Sequence, residues 1–166
     1  MELALKQHRR YIPEYLALVE REMQKCDPYT ESTYDDKQES QMKRLQAHLQ
    51  SHGFFQLPLV AALKGANHKE ALLKLLFENE LPYQIALLHF LGFLTHLQEA
   101  LHLSKEQVYH FLAEVFQANH RAIKGNILVL GNYSKENRAR YTSFRHLETV
   151  ETDYRILEKN TNKNKF

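Results

Sequence analysis

Ser104-Lys-Glu-Gln107 opens the segment that most restricts how this chain can fold. A serine with a glutamine three residues later is a capping box, in which each side chain takes up the other's free backbone N–H. Val108, Phe111, Leu112 and Val115 then recur at i, i+3, i+4 and i+7, the spacing of an amphipathic helix face. That pattern stops near Phe116. Asn119 can cap the next helix, and Ile123, Ile127 and Leu130 resume the apolar spacing. Two helices joined by about three residues make the arrangement of a helix-turn-helix.

The rest of the chain agrees with an all-α fold. Only five glycines and four prolines interrupt it, and no alternating strand pattern runs longer than "ILVL". Tyr15, Leu18, Val19 and Met23 predict a helix after Pro13. "DPYTESTYDD" (Asp27 to Asp36) reads as a polar loop and a boundary. Met42, Leu45 and Leu49 predict a helix ending at Gly53. Asn67, with Glu70 reaching back, predicts the cap of a helix carrying Leu72, Leu75 and Leu76. Pro82 predicts the start of another, running to about His102. The expected architecture is a helical bundle of six to eight helices with a C-terminal helix-turn-helix. Its segments are 1–35, an N-terminal helix and loop; 36–103, a helical core; 104–158, the hairpin and a basic C-terminal helix; and 159–166, a disordered tail.

Within the hairpin, Leu112, Ala113, Phe116, Ala118 and Ile123 fit the inner positions of the helix-turn-helix template. Three features depart from it. Gln117 stands where a glycine is usual, Asn126 falls on the late core slot so that Ile127 must serve instead, and Gly125 lies inside the second helix. With Ile123, Ile127 and Leu130 inward, about 100° per residue turns Arg121, Lys124, Gly125 and Leu128 outward. Arginine can read guanine, Leu128 can touch a thymine methyl, and Gly125 leaves the approach to base edges open. Ser134 can cap one further helix, placing Arg138, Thr142, Arg145 and Thr149 on one face for phosphate contacts, opposite a stripe of Leu147, Val150, Tyr154 and Leu157.

Charge points to the same end. The formal net charge is +2, yet residues 118–166 carry 10 Lys/Arg against 5 Asp/Glu, and residues 1–117 carry 12 against 15. A basic end on a near-neutral body suits a polyanion partner. The expected DNA-binding residues are Asn119, His120, Arg121, Lys124, Gly125, Leu128, Lys135, Arg138, Thr142 and Arg145, with double-stranded DNA as partner and a homodimer as a possible form.

"ELPYQIALLHFLGFLTHL" (Glu80 to Leu97) together with "IKGNILVLGNYSKENRARYTS" (Ile123 to Ser143) resembles the RteC family, regulatory proteins of conjugative transposons from gut anaerobes. The likeness covers roughly the C-terminal half. It implies an all-helical cytoplasmic protein whose C-terminal helix-turn-helix binds DNA upstream of excision genes, with Arg121, Ile123, Lys124, Gly125 and Asn126 in the recognition segment. It brings no catalytic residues. The chain is shorter than typical members, so a sensing or partner role for the N-terminal part does not carry over.

Other chemistry fits less well. His48 and His52 stand at i, i+4 but lack a third ligand and the glutamate of a zinc protease, so no metal and no cofactor is expected. Arg138, Arg140, Tyr141, Arg145 and His146 are residue types of tyrosine recombinases, but they crowd into one segment and cannot surround a phosphate. There is no phosphate-binding glycine loop and no nucleophile elbow, so no enzyme is expected. Cys26, alone, can form no internal disulfide, which suits a reducing cytoplasm. The N-terminus lacks the apolar core of a signal peptide. The most apolar run, Ile85 to Leu94, ends well short of the about 18 residues of a membrane span and reads as a buried helix. The rival functional reading is a helical protein–protein interaction module, docking through an apolar hairpin at Leu81–Leu103 without binding DNA.

Overall fold

A computed structural model describes residues 29–131 and 135–163, with side-chain surroundings over 35–131 and 135–160. Its contacts divide the chain into Met1–Ser40 and Gln41–Phe166; apart from residues 29–40, the residues described below belong to the second unit. The helix expected after Pro13 lies outside the described residues, as does Ser134.

The helix α1 spans Tyr29–Ser51, so the second part of the expected polar loop is helical. Leu45 and Leu49 are buried as their spacing requires, and Gly53 ends the turn at φ +76°. A 3-10 turn, Phe54–Gln56, leads into the short α2, Pro58–Ala62. Helix α3 covers Ala66–Glu78, and its cap is Gly65, not Asn67. Gly65 adopts φ +100°, a conformation other residues resist, so the helix starts before Asn67 can cap it.

Helix α4, Leu81–Phe90, begins with a proline in its first turn. Ile85, Ala86, Leu87 and Leu88 are all buried, and a helix apolar all round belongs in the centre of a core. It does not run to His102. Gly92 takes φ +79° and breaks the path, and α5 follows as Phe93–Glu99. Phe54 and Phe93 meet edge to face at 5.3 Å beneath this corner. Helices α6, Lys105–Val115, and α7, His120–Leu128, form the hairpin.

A 3-10 turn, Ser143–His146, and helix α8, Leu147–Lys163, close the unit. Val150 and Tyr154 are buried, with Leu147 and Leu157 packed beside them, so the expected stripe exists. It sews the end of the unit to its middle. The Tyr83 hydroxyl donates to Asp153 Oδ2 at 2.7 Å, and the Tyr154 hydroxyl donates to the Leu59 carbonyl at 2.8 Å. Helix α8 continues through Lys163, so the first residues of the expected disordered tail are helical. Extending a packed helix by a turn costs far less than nucleating one. The described residues contain no strand, and no helix among them is long and apolar enough to cross a membrane.

Candidate nucleic-acid interface

Helix α6 starts as its sequence requires. Ser104 Oγ accepts from the Gln107 N–H at 3.3 Å, and Gln107 Oε1 accepts from the Ser104 N–H at 2.8 Å. The turn after it solves the glycine problem without a glycine. Gln117 adopts φ +50°. Its N–H donates to the Glu114 carbonyl at 3.3 Å, and the Ala118 N–H donates to the Ala113 carbonyl at 2.9 Å. That pair is the Schellman closure, which satisfies two carbonyls left over at the helix end. Asn119 then caps α7, its side chain accepting from the Arg121 N–H at 2.8 Å.

Ile123 is fully buried in α7, and Ile127 and Leu130 pack against the core. Two residues of this helix are placed otherwise than expected, Gly125 of the outward face and Asn126 of the late core slot. Gly125 is buried, and the ring of Tyr141 lies so close that a Cβ added there would stand 2.4 Å from Cζ. The glycine admits a tyrosine and does not open a path to base edges. Asn126 is also buried, at 4% exposure, so the late core slot is filled by a polar residue after all. Its Nδ2 donates to the Ala122 carbonyl, and its Oδ1 accepts from the N–H groups of Thr142 and Ser143 at 3.2 and 3.3 Å. Ser143 Oγ donates back to the Asn126 carbonyl.

These bonds explain why no helix runs through residues 135–146. In a helix the Thr142 and Ser143 N–H groups would go to the carbonyls of residues 138 and 139, but Asn126 takes both. What remains is one turn capped by Asn137, whose Oδ1 accepts from Ala139 N at 2.9 Å and Arg140 N at 3.2 Å. Arg138, Thr142, Arg145 and Thr149 therefore share no helix face. Arg138 and Arg145 still meet, through an aromatic ring. Their guanidinium groups stand 4.1 and 5.6 Å from the centroid of Phe144, and both are exposed. Thr142 is half-buried and held by Asn126. Lys135 is exposed and Leu128 half-buried.

Arg121, Lys124, Gly125, Glu136, Asn137, Arg140 and Tyr141 line one open cavity of about 440 Å³. Three cations and one carboxylate thus surround it. Arg140 stands over the Tyr141 ring at 5.5 Å. Lys124 Nζ donates to Glu106 Oε1 at 2.9 Å, and that bond raises the lysine pKa while lowering the carboxyl's. Lys124 is thereby kept charged while part of its field is cancelled. His120 does not join this cavity. Its Nε2 lies 3.3 Å from Glu106 Oε2 on the other side of that carboxylate.

Sequence reading missed four residues of these clusters. Arg140 and Tyr141 owe their place beside α7 to Asn126, which folds the connector back. Glu106 and His110 show a visible i, i+4 spacing, but only the turn at Gln117 brings His120 to them. No family model, curated protein or solved structure matches this chain.

Proposed function

We propose that this chain is a DNA-binding transcriptional regulator, and that the hairpin α6–α7 with the connector 135–146 is its DNA-contacting surface. The observation that carries this reading is the cavity where Arg121, Lys124 and Arg140 converge beside the first turns of α7. The start of the second hairpin helix is the part that enters a major groove in helix-turn-helix proteins. Its cations come from two separate segments, and the exposed pair Arg138 and Arg145 adds charge on the same connector. Phosphate contacts of this kind supply affinity, and base-edge contacts from Arg121 supply choice. The likeness to RteC proteins suggests excision or transfer genes of a mobile element as the regulated targets.

Selection from a random duplex pool, followed by anisotropy titration of the enriched site, tests the reading. Arg121→Ala is expected to cost about 1–3 kcal/mol on that site and to relax preference at one base pair. Arg140→Ala is expected to weaken all duplexes alike and to flatten the salt slope by roughly 0.9. A pool that enriches for nothing, or mutants with the parent's salt slope and discrimination, would refute it.

A protein-docking reading has one observation of its own. Ala71, Leu75, Ile156 and Leu157 line an apolar hollow of about 270 Å³ between α3 and α8, and Ile156 is 52% exposed. Most apolar side chains of the hairpin at Leu81–Leu103 are buried, Leu101 being exposed, so this hollow supports the docking reading better than that hairpin does.

A further inference from the structure

We propose that Glu106, His110 and His120 form a binding site for a divalent transition-metal ion of the zinc type, pinning the start of α7 to the first two turns of α6. Glu106 and His110 are neighbours on one helix face by their i, i+4 spacing, and the Schellman turn delivers His120 from the other helix. One ligand atom from each lies within 4.8 Å of the others. The centroids of the two imidazole rings stand 4.3 Å apart at 37°, and those of Tyr109 and His120 stand 5.9 Å apart at 74°. The spacing of Glu106 Oε2 and His120 Nε2 is 3.3 Å. Two ligands at about 2.0–2.1 Å from a tetrahedral zinc are separated by roughly 3.3–3.4 Å, so that edge of the coordination shell already has its final length.

His120 Nε2 is shielded from solvent and makes no hydrogen bond, being out of line with the carboxylate beside it. A buried polar atom left in that state is rare and costly, and a metal ion would satisfy it. Two imidazoles and one carboxylate select zinc-like ions over calcium or magnesium, which take oxygen ligands. Glu106 and His110 are exposed, so an ion could enter from solvent, and three protein ligands would leave its fourth position to water. Lys124 stands against the ion. Its ammonium holds the other carboxylate oxygen at 2.9 Å, so metal and lysine compete for Glu106.

That competition makes the test specific. The full chain is titrated with zinc against a chromophoric chelator, and separately with cobalt, whose visible bands report a tetrahedral site. One zinc per chain is expected, weakened at least tenfold by His110→Ala and by His120→Gln and left unchanged by His48→Ala. Lys124→Gln is expected to tighten binding several-fold, an effect that adventitious surface histidines do not produce. Circular dichroism confirms that each variant is folded, and zinc is expected to raise the melting temperature of the parent, of His48→Ala and of Lys124→Gln more than that of His110→Ala or His120→Gln. Zinc binding that survives both histidine substitutions in folded protein, or the absence of any zinc binding, would overturn the proposal.

Discussion

Replacing Gly125 with alanine sets two known effects against each other. Alanine is worth about 1 kcal/mol over glycine inside a helix, so an open helix surface would gain stability. Here the new methyl would stand 2.4–2.5 Å from three ring carbons of Tyr141. Ordinary contact between carbons needs about 3.5 Å, so the ring must withdraw by roughly 1 Å or swing away. Tyr141 is buried, at 6% exposure, and a tyrosine buries about 150–250 Å². Uncovering about 75–100 Å² of it loses roughly 2 kcal/mol. The net result for Gly125→Ala is destabilisation by about 1 kcal/mol, a fall of about 2–4 °C in melting temperature for a domain this size. In a Tyr141→Ala background the obstacle is gone, and the same substitution is expected to stabilise by up to about 1 kcal/mol. Urea unfolding of the four proteins, followed by circular dichroism, measures the coupling, expected near 2 kcal/mol. Additive effects, or stabilisation in both backgrounds, would show that the ring does not cover the glycine.

Three further outcomes follow from the same geometry. Gln117→Gly relieves a left-handed backbone at φ +50° that costs a side-chain-bearing residue roughly 1–2 kcal/mol, and is expected to raise the free energy of unfolding in urea by up to about 1 kcal/mol, less any entropy glycine adds to the unfolded chain. Asn126→Leu strips the acceptor from the Thr142 and Ser143 N–H groups, at about 1–3 kcal/mol for each one left buried, and hydrogen exchange is expected to quicken at those two amides before the rest of the unit. Burial first, and then the hydrogen bond and charge of Asp153, raise the Tyr83 pKa above its ordinary value. A raised folded pKa contributes stability fully present below the unfolded value of about 10 and lost as pH rises beyond it. Tyr83→Phe is therefore expected to flatten the alkaline limb of a melting-temperature profile between pH 9 and 11.5.

What could be read directly from the sequence were features that close over a few residues. The box at Ser104 and Gln107, the glycine end at Gly53, the proline start of α4 and the buried stripe of α8 all depend on neighbours three or four positions away. The readings that failed depend on partners far along the chain or on a competing local choice. Asn67 is a good cap by type, but Gly65 offered an earlier start. Ser134 to Arg145 has helical spacing, but Asn126, 16 and 17 residues before its partners, claims the N–H groups that such a helix needs. Gly125 pointed outward by helical geometry, and the element that covers it was the one misread. The cluster of cations around the cavity is partly legible for the same reason. Arg121 and Lys124 follow from helix phase alone, whereas Arg140 joins them only through the folded connector.

The bonds from Tyr83 to Asp153 and from Tyr154 to Leu59 span 70 and 95 residues, which has a consequence for how the chain is made. At about 5–20 residues per second, roughly 4–14 s separate the synthesis of α4 from that of the stretch of α8 that covers it. For that interval one of the most apolar helices in the protein has no lid. A newly made chain released before Val150 and Tyr154 would present that helix to its surroundings, and a nascent-chain pulldown is expected to find chaperones engaged until those residues emerge.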